Sequence, residues 1–195
     1  MRKRHLLDPA PISATRGVLA LLGWLFLAMV LSAAGLRAQE MGLPPGSSAP
    51  EASLVDLDGN PAQLLDFIGK GKPALVEFWA HWCGQCRRLQ PEMDRVQATY
   101  GDQVNVVAVA VAVSQTPDQI KRHLEEHSPG YTYLFDGNGE AVRNYNVPGT
   151  AVVLIFDGEG KVVYNGAGGS QDLGGALREI LGGPAVAPPG PSFPS

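Results

Sequence analysis

Two cysteines separated by two residues follow directly on an apolar stretch, and this junction constrains the fold more than any other part of the sequence. Ala74–Ala80 has the composition of a buried strand, interrupted by a single acid, Glu77. The residues from Cys83 through Cys86 to about Tyr100 then have a helical pattern. A strand that ends in a turn, with a helix beginning at a cysteine, is typical of an α/β architecture.

The rest of the chain alternates strand and helix signals in the same way. Val104–Val113 is rich in valine and predicts a strand buried on both faces, and Thr116 caps a helix that extends to about residue 127. Ala151–Phe156 and Lys161–Tyr164 flank an Asp-Gly-Glu-Gly turn and predict a hairpin. Further expected elements are strands over Ala52–Leu57 and Tyr131–Phe135 and a last helix that is capped by Ser170 and ends near Leu181. We therefore expect an α/β fold with a central mixed β-sheet flanked by helices on both faces.

Residues 1–38 have the composition of an export segment. Basic residues in Met1–His5 precede an uncharged apolar run from Val18 to Gly35, and Leu36-Arg37-Ala38 is a weak cleavage signal. The run is long for a signal peptide and just long enough to span a bilayer. Two interpretations stay open, a cleaved signal peptide or an uncleaved membrane anchor. Both place the rest of the chain outside the cytoplasm, in a bacterial periplasm or cell envelope.

The remaining residues divide into a linker, a domain and a tail. Residues 39–48 are rich in Gly, Pro and Ser, 49–181 form the predicted domain, and 182–195 are a Pro- and Gly-rich tail that we expect to be disordered. Residues 1–38 hold five of the 15 basic and one of the 19 acidic residues, so the rest carries 10 basic against 18 acidic residues, a net charge of −8. Because an acidic surface repels phosphates, we expect no nucleic-acid partner.

The cysteine pair indicates redox chemistry rather than structural bracing, since a disulfide scaffold needs more than two cysteines. A helix that begins at Cys83 offers free N–H groups and a positive dipole end, and both stabilise a thiolate. Cys83 lies at the turn and is the expected exposed nucleophile. Cys86 lies one helical turn later and is the expected resolving cysteine. We expect no cofactor beyond a redox-active Cys83–Cys86 disulfide.

The segment around the cysteines resembles the active site of the thioredoxin superfamily, and the resemblance extends from about Ala49 to Leu181. It rests on Asp58-Gly59, the Trp-Cys-Gly-x-Cys core at 82–86, Pro91, and Tyr145-Asn146-Val147-Pro148-Gly149. The insert at 116–127 is similar to the extracytoplasmic TlpA/ResA-like branch. The resemblance implies a thioredoxin-like fold, protein disulfide or thiol substrates, and a membrane thiol reductase as electron donor. It also places Trp82 at the border of the partner surface.

Glu77 and His81 are the other ionisable candidates. Glu77 is either a strand-edge carboxylate facing water or a buried acid with a raised pKa that exchanges the proton of Cys86. The resemblance supports the second interpretation, because a buried acid commonly occupies this position. His81 either tunes the nearby thiolate or is an exposed loop residue. Leu89 departs from the pattern, since this branch often has a glutamate there.

A second departure concerns the proline that normally faces the cysteine pair in a cis peptide. Counting back from Asp157 places Ala151 at that position, which we favour; the alternative, with Pro148 as the facing proline, requires three extra residues in the strand. Without proline a cis bond costs about 2.5–4 kcal/mol, so the Thr150–Ala151 bond is predicted to be trans. The resemblance implies that Thr150 and Ala151 contact substrate. We expect the loop to shift and to leave the cysteines less shielded.

Three functions are compatible with these residues, and we favour a thiol–disulfide reductase for exported proteins. An oxidase uses the same chemistry in reverse, and the direction depends on the reduction potential. A metal-binding module would hold Cu(I) or Zn through Cys83 and Cys86, with His81 as a further ligand. The His-x-x-Glu-His match at 123–127 resembles a zinc-protease motif, but we attribute it to a solvated helix face.

Overall fold

A computed structural model of the chain describes residues 41–127 and 130–182. The predicted export segment at 1–38 and residues 183–195 of the predicted tail lie outside the described residues. The domain boundaries at 49 and 181 therefore stay predictions. In the described ranges, no helix combines the length and the apolar character needed to cross a membrane.

A seven-stranded mixed sheet organises the described residues, in the order β2-β1-β5-β4-β3-β6-β7. β3 is an interior strand, because it pairs in parallel with β4 on one side and antiparallel with β6 on the other. The strands are β1 Ser53–Asp56, β2 Pro61–Gln63, β3 Ala74–Trp79, β4 Asn105–Val111, β5 Thr132–Asp136, β6 Val152–Phe156 and β7 Val162–Ala167. The predicted mixed sheet is thus confirmed.

Helices cover both faces of this sheet. The described helices are α1 Gly84–Tyr100, α2 Pro117–Glu125, α3 Glu140–Asn144 and α4 Leu173–Ile180, with a 3-10 helix at Leu64–Asp66. Neighbouring residues of a strand point to opposite faces. The ring of Phe78 packs 5.8 Å from that of Tyr145 at the end of α3, whereas the ring of Trp79 packs 6.0 Å from that of His123 in α2. α2 and α3 therefore lie on opposite faces.

The core is built around β3, in which all six residues are buried. The apolar composition of β3 explains this, because a strand with neighbours on both edges and helices on both faces has no face left for water. β6 is likewise buried throughout. Complete burial of each large aliphatic side chain contributes about 1.5–3 kcal/mol. β3, which leads into the cysteine region, and β6, which follows Thr150 and Ala151, are therefore held by burial along their whole length.

Three features of the fold differ from the sequence predictions. The last helix is capped by Asp172 rather than Ser170, because the Asp172 carboxylate accepts a hydrogen bond from Gly175 N–H at 2.8 Å. β2 and α3 were not predicted. β2 has three residues and α3 has five, and segments this short carry no readable periodicity.

Asp136, which is fully buried, explains how a helix as short as α3 is held. Its two carboxylate oxygens accept hydrogen bonds from Ala141 N–H at 3.2 Å and Val142 N–H at 2.9 Å. These N–H groups at the helix start have no partner within the helix. The end of β5 thus supplies the acceptors for the first turn of α3.

Replacing this carboxylate should destabilise the fold. Asp136→Ala is expected to lower the free energy of unfolding by about 1–3 kcal/mol, because a buried N–H is left without an acceptor. The measurement is urea denaturation followed by circular dichroism. Asp157→Ala is the matched control, since Asp157 accepts from Glu159 and Lys161 N–H in a turn that water reaches. An equal loss in both variants would contradict the role assigned to burial.

Candidate active site

Cys83 and Cys86 lie where β3 gives way to α1, and a disulfide joins them with their Cα atoms 5.3 Å apart. Cys83 is the N-cap of α1, and its Sγ accepts a hydrogen bond from the N–H of Cys86 at 3.1 Å. The helix N-terminus brings free N–H groups and a positive dipole end to this sulfur. After reduction the same groups stabilise a thiolate at Cys83.

Both cysteines are only 4 % exposed, so the expectation of an exposed Cys83 is wrong for the disulfide form. The expectation of a less shielded pair is wrong as well. Thr150 lies against the pair, and its hydroxyl donates a hydrogen bond to Cys83 Sγ at 3.2 Å. A loop that is remote in sequence therefore covers the sulfur.

Ala151 directly precedes β6, at the position predicted from the sequence. The Thr150–Ala151 bond is trans, and none of the described peptide bonds is cis. Ala151 has a φ of +57°, in the left-handed region that side chains other than glycine disfavour. Its carbonyl accepts hydrogen bonds from Gly168 N–H at 2.8 Å and from Gln171 Nε2 at 3.3 Å. The structure thus brings Thr150 to the disulfide while Ala151 faces the loop after β7.

Glu77 is buried within β3 and is only 2 % exposed, so it is not a strand-edge carboxylate facing water. Its Oε1 has no hydrogen-bond partner among the described residues. Burial raises the pKa of Glu77 to about 8, and the negative charge of Asp94 adds to this effect. At neutral pH the Glu77 carboxyl is therefore mostly protonated and uncharged in the disulfide form.

Gln115 belongs to the site region, although the sequence analysis did not identify it. Its Oε1 accepts a hydrogen bond from His81 N–H at 3.0 Å and lies 2.8 Å from His81 Nδ1. Its Nε2 donates to the carbonyl of Val111 at 2.6 Å. This buried glutamine ties the loop before Cys83 to the end of β4. The one feature of the sequence that could have pointed to Gln115 is its position four residues after the end of the buried strand β4.

An apolar groove of about 170 Å³ lies beside the disulfide. Trp82, which is 44 % exposed, forms one wall, and its indole N–H donates to the carbonyl of Val113 at 2.8 Å. The lining residues are Trp82, Val111, Val113, Val142, Val147, Pro148, Gly149 and Thr150. Because Thr150 both lines the groove and contacts Cys83, the groove and the disulfide form one continuous surface.

The histidines do not converge on a metal site. Across residues 41–127 and 130–182, no three side chains of His, Cys, Asp or Glu are grouped so that they could hold a metal ion. The two histidines of the zinc-protease match have separate neighbours, since His127 Nε2 lies 3.2 Å from Asp94 Oδ1 and the ring of His123 packs on Trp79. His123 is partly buried, so it does not belong to a fully solvated helix face.

The model of the family described as Redoxin matches residues 44–178. The chain belongs to this Redoxin family. It is 33 % identical over 125 residues to the thioredoxin-like protein YneN of Bacillus subtilis, covering 64 % of this chain and 72 % of YneN. It is 27 % identical over 129 residues to the thiol-disulfide oxidoreductase ResA of Bacillus cereus, covering 66 % of this chain and 73 % of ResA.

A solved structure extends the likeness to three dimensions. The thiol:disulfide interchange protein DsbE from Chlorobium tepidum superimposes with a TM-score of 0.61 at 30 % sequence identity, covering 71 % of this chain and 96 % of that one. These similarities confirm the TlpA/ResA-like branch of the thioredoxin superfamily and the thioredoxin-like fold. Together with the Cys83–Cys86 pair, they show that this Redoxin-family chain is a thiol–disulfide oxidoreductase.

The raised pKa of Glu77 predicts how stability depends on pH. A carboxyl whose pKa is higher in the folded than in the unfolded chain stabilises the fold fully below the unfolded value, here near 4.5, and this stabilisation is lost as the pH rises through about 8. Glu77→Gln stays uncharged. The free energy of unfolding of Glu77→Gln, relative to that of the wild type, should therefore increase by about 4 kcal/mol between pH 4.5 and pH 8.5.

Urea denaturation of the two oxidised proteins between pH 4.5 and pH 8.5 measures this difference. Taking the difference between variant and wild type removes the contribution of all other titrating groups. A difference that does not change with pH would show that Glu77 is ionised to the same extent in the folded and unfolded chains.

Proposed function

We propose that this oxidoreductase reduces disulfides of exported proteins outside the cytoplasm, with Cys83 as the nucleophile and Cys86 as the resolving cysteine. The Cys83 thiolate attacks one sulfur of a substrate disulfide, which forms a mixed disulfide and releases one substrate thiolate. The Cys86 thiolate then attacks the sulfur of Cys83 and releases the second. The substrate gains two electrons, and the chain ends with the Cys83–Cys86 disulfide.

Glu77 is proposed to exchange the proton of Cys86. Cys86 must lose its proton before it attacks the mixed disulfide, and a thiol in a buried site has no water to accept that proton. Glu77 lies buried on the strand that leads into the pair. Its raised pKa means that the carboxyl holds a proton at neutral pH in the disulfide form, which is the product of the reductase cycle.

The burial of Glu77, whose Oε1 has no hydrogen-bond partner among the described residues, is the observation that carries the reductase direction. Strong oxidases owe their high potential to a stabilised reduced form. A protonated Glu77 carboxyl supplies no positive charge to stabilise a thiolate at the pair, and an ionised one would oppose that thiolate. Among the described residues, the donors to Cys83 Sγ are one N–H and one hydroxyl. Two donors stabilise a Cys83 thiolate only modestly, and a reduced form that is little stabilised favours a low reduction potential.

Trp82 and Thr150 are proposed to contact the substrate, whereas Ala151, for which a substrate contact was also expected, is fully buried in the disulfide form. Trp82 and Thr150 line the apolar groove beside Cys83, and Ala151 holds the loop that presents Thr150. A groove of this size accommodates an apolar side chain that neighbours a substrate cysteine. The proposed substrates are therefore extended or unfolded segments with an apolar residue close to the disulfide.

The cellular setting is inferred from the N-terminal sequence. Basic residues followed by the apolar run from Val18 to Gly35 support export, either by a cleaved signal peptide or by a retained membrane anchor. Each turnover consumes two electrons, so a thiol reductase in the membrane is the proposed donor. The acidic composition of residues 39–195 gives no basis for a nucleic-acid partner.

The reduction potential of the Cys83–Cys86 pair tests the direction of electron flow. We expect a reversible two-electron couple near the thioredoxin end of the scale, about −270 mV. The measurement is equilibration in glutathione or dithiothreitol redox buffers, with alkylation of the free thiols. A value near −120 mV would overturn the reductase proposal in favour of an oxidase. A pair with no reversible couple would overturn both.

A charge in the apolar groove should weaken substrate binding. Val113 is 61 % exposed on the groove wall, and Val113→Glu is expected to raise KM for an apolar disulfide peptide about tenfold while kcat changes little. The assay follows peptide reduction with dithiothreitol as electron source. Val163→Glu is the matched control, because Val163 is an exposed valine on β7 that does not line the groove. Equal effects in the two variants would contradict a substrate role for the groove.

A further inference from the structure

The backbone of Ala151 is held in a conformation that it does not favour by itself. Its φ of +57° lies in the left-handed region, which costs a residue with a Cβ free energy relative to ordinary conformations. Such a conformation persists only where the surroundings impose it. The groups that impose it here therefore determine where the neighbouring Thr150 lies.

Two donors hold the carbonyl of Ala151, and both come from the loop between β7 and α4. Gly168 N–H donates at 2.8 Å, and Gln171 Nε2 donates at 3.3 Å. The first donor is a main-chain group that any residue would supply. The second is the side chain of Gln171, so this contact depends on the sequence.

The amide of Gln171 is itself fixed at both ends. Its Nε2 also donates to the carbonyl of Gly168 at 2.7 Å, and its Oε1 accepts from the hydroxyl of Tyr164 at 3.1 Å. An amide with partners for both its oxygen and its nitrogen has a defined orientation. Gln171 is therefore a preorganised donor rather than a mobile surface side chain.

The same loop also reaches the cysteine helix from the other side. Gly169 N–H donates to Oε1 of Gln85, one of the two residues between the cysteines, at 2.9 Å. Gly169 has no room for a Cβ, which would lie 2.8 Å from the carbonyl oxygen of Gln85. The loop at 168–171 thus contacts both the start of α1 and the residue that follows Thr150.

We propose that Gln171 is the positioning residue that holds Thr150 against Cys83. The connection runs from the Gln171 amide to the Ala151 carbonyl, and from there through one residue of backbone to the Thr150 hydroxyl, which donates to Cys83 Sγ at 3.2 Å. A hydroxyl donor stabilises a thiolate more than it stabilises a disulfide sulfur, because hydrogen bonds to charged acceptors are stronger. Gln171 therefore stabilises the reactive form of Cys83 without touching it. This inference rests on the proposed role of Cys83 as the nucleophile.

A double-mutant cycle on the reduced full chain tests the connection. The readout is the pKa of Cys83, obtained from the pH dependence of iodoacetamide alkylation, with mass spectrometry identifying the modified cysteine. Thr150→Val removes the hydroxyl, and Gln171→Met removes the amide at nearly constant volume. Each is expected to raise the pKa of Cys83 by about one unit, which slows alkylation about tenfold below the pKa. The double variant should shift it no further than Thr150→Val alone.

The ionisable side chains around the pair are the same in every member of the cycle. They include the Cys86 thiol and Arg87 on the first turn of α1, Glu77 on β3, His81 before Cys83, and His123 on α2, whose ring lies 6.3 Å from that of His81. None of them is altered in the cycle. If Gln171→Met shifts the pKa of Cys83 by different amounts in the wild type and in Thr150→Val, the difference is therefore due to the Thr150 hydroxyl.

Asn105→Leu controls for a general loss of stability. Asn105 Nδ2 donates to the carbonyl of Phe67 at 2.8 Å, at the start of β4 and hence at the opposite end of the sheet from Cys83. This variant is expected to lower the melting temperature and to leave the pKa of Cys83 unchanged. If it shifts the pKa as much as Gln171→Met does, stability alone explains the effect and the proposal is wrong.

Two further results would overturn the proposal. One is an unchanged Cys83 pKa in folded Gln171→Met, and the other is an equal shift from Gln171→Met with and without the Thr150 hydroxyl. If Gln171→Met does not fold, Tyr164→Phe replaces it, because it removes the donor to Gln171 Oε1. A smaller rise in the pKa that disappears in the Thr150→Val background is then expected. None of these readouts needs substrate turnover, so a high reduction potential would overturn the reductase direction alone.

Discussion

The antiparallel pairing of β3 with β6 is the constraint on which the whole site depends. Its register places Phe78, near the end of β3, opposite Val152 at the start of β6. Cys83 follows β3 and Thr150 precedes β6. Because the two strands are antiparallel, these residues, which are 67 positions apart in the chain, meet at the same end of the strand pair. A slip of one residue would turn every side chain of β3 to the other face, and Glu77 with it.

The interior position of β3 also explains why the site contains an uncharged acid. β3 has strands on both edges and helices on both faces, so a carboxyl at Glu77 cannot reach water. The charged form is then disfavoured, and the proton stays on the carboxyl well above the usual pKa. A leucine at this position would pack without that cost, since it has no polar atom to bury. The retention of an acid here is the kind of local conflict that marks functional sites.

The sequence predicted those parts of the molecule whose signals are local. The buried strands, α1 and the cysteine pair all follow from patterns within about ten residues, and the structure bears them out. The contacts of Gln115 and Gln171 were not predictable, because their partners come from other parts of the chain. The burial of Cys83 was mispredicted for the same reason, since Thr150, which covers it, comes from a loop with no periodic pattern.

Ala151 occupies the position at which the resemblance to the thioredoxin superfamily implies a proline. A proline ring fixes φ near −65°, so a proline cannot adopt the +57° of Ala151 without moving the loop. A ring also restricts the unfolded chain, whereas hydrogen bonds restrict only the folded one. Here the constraint comes instead from Gly168 and Gln171. The position of the loop over Cys83 therefore depends on the segment that leads into α4, a dependence that a proline ring would not create.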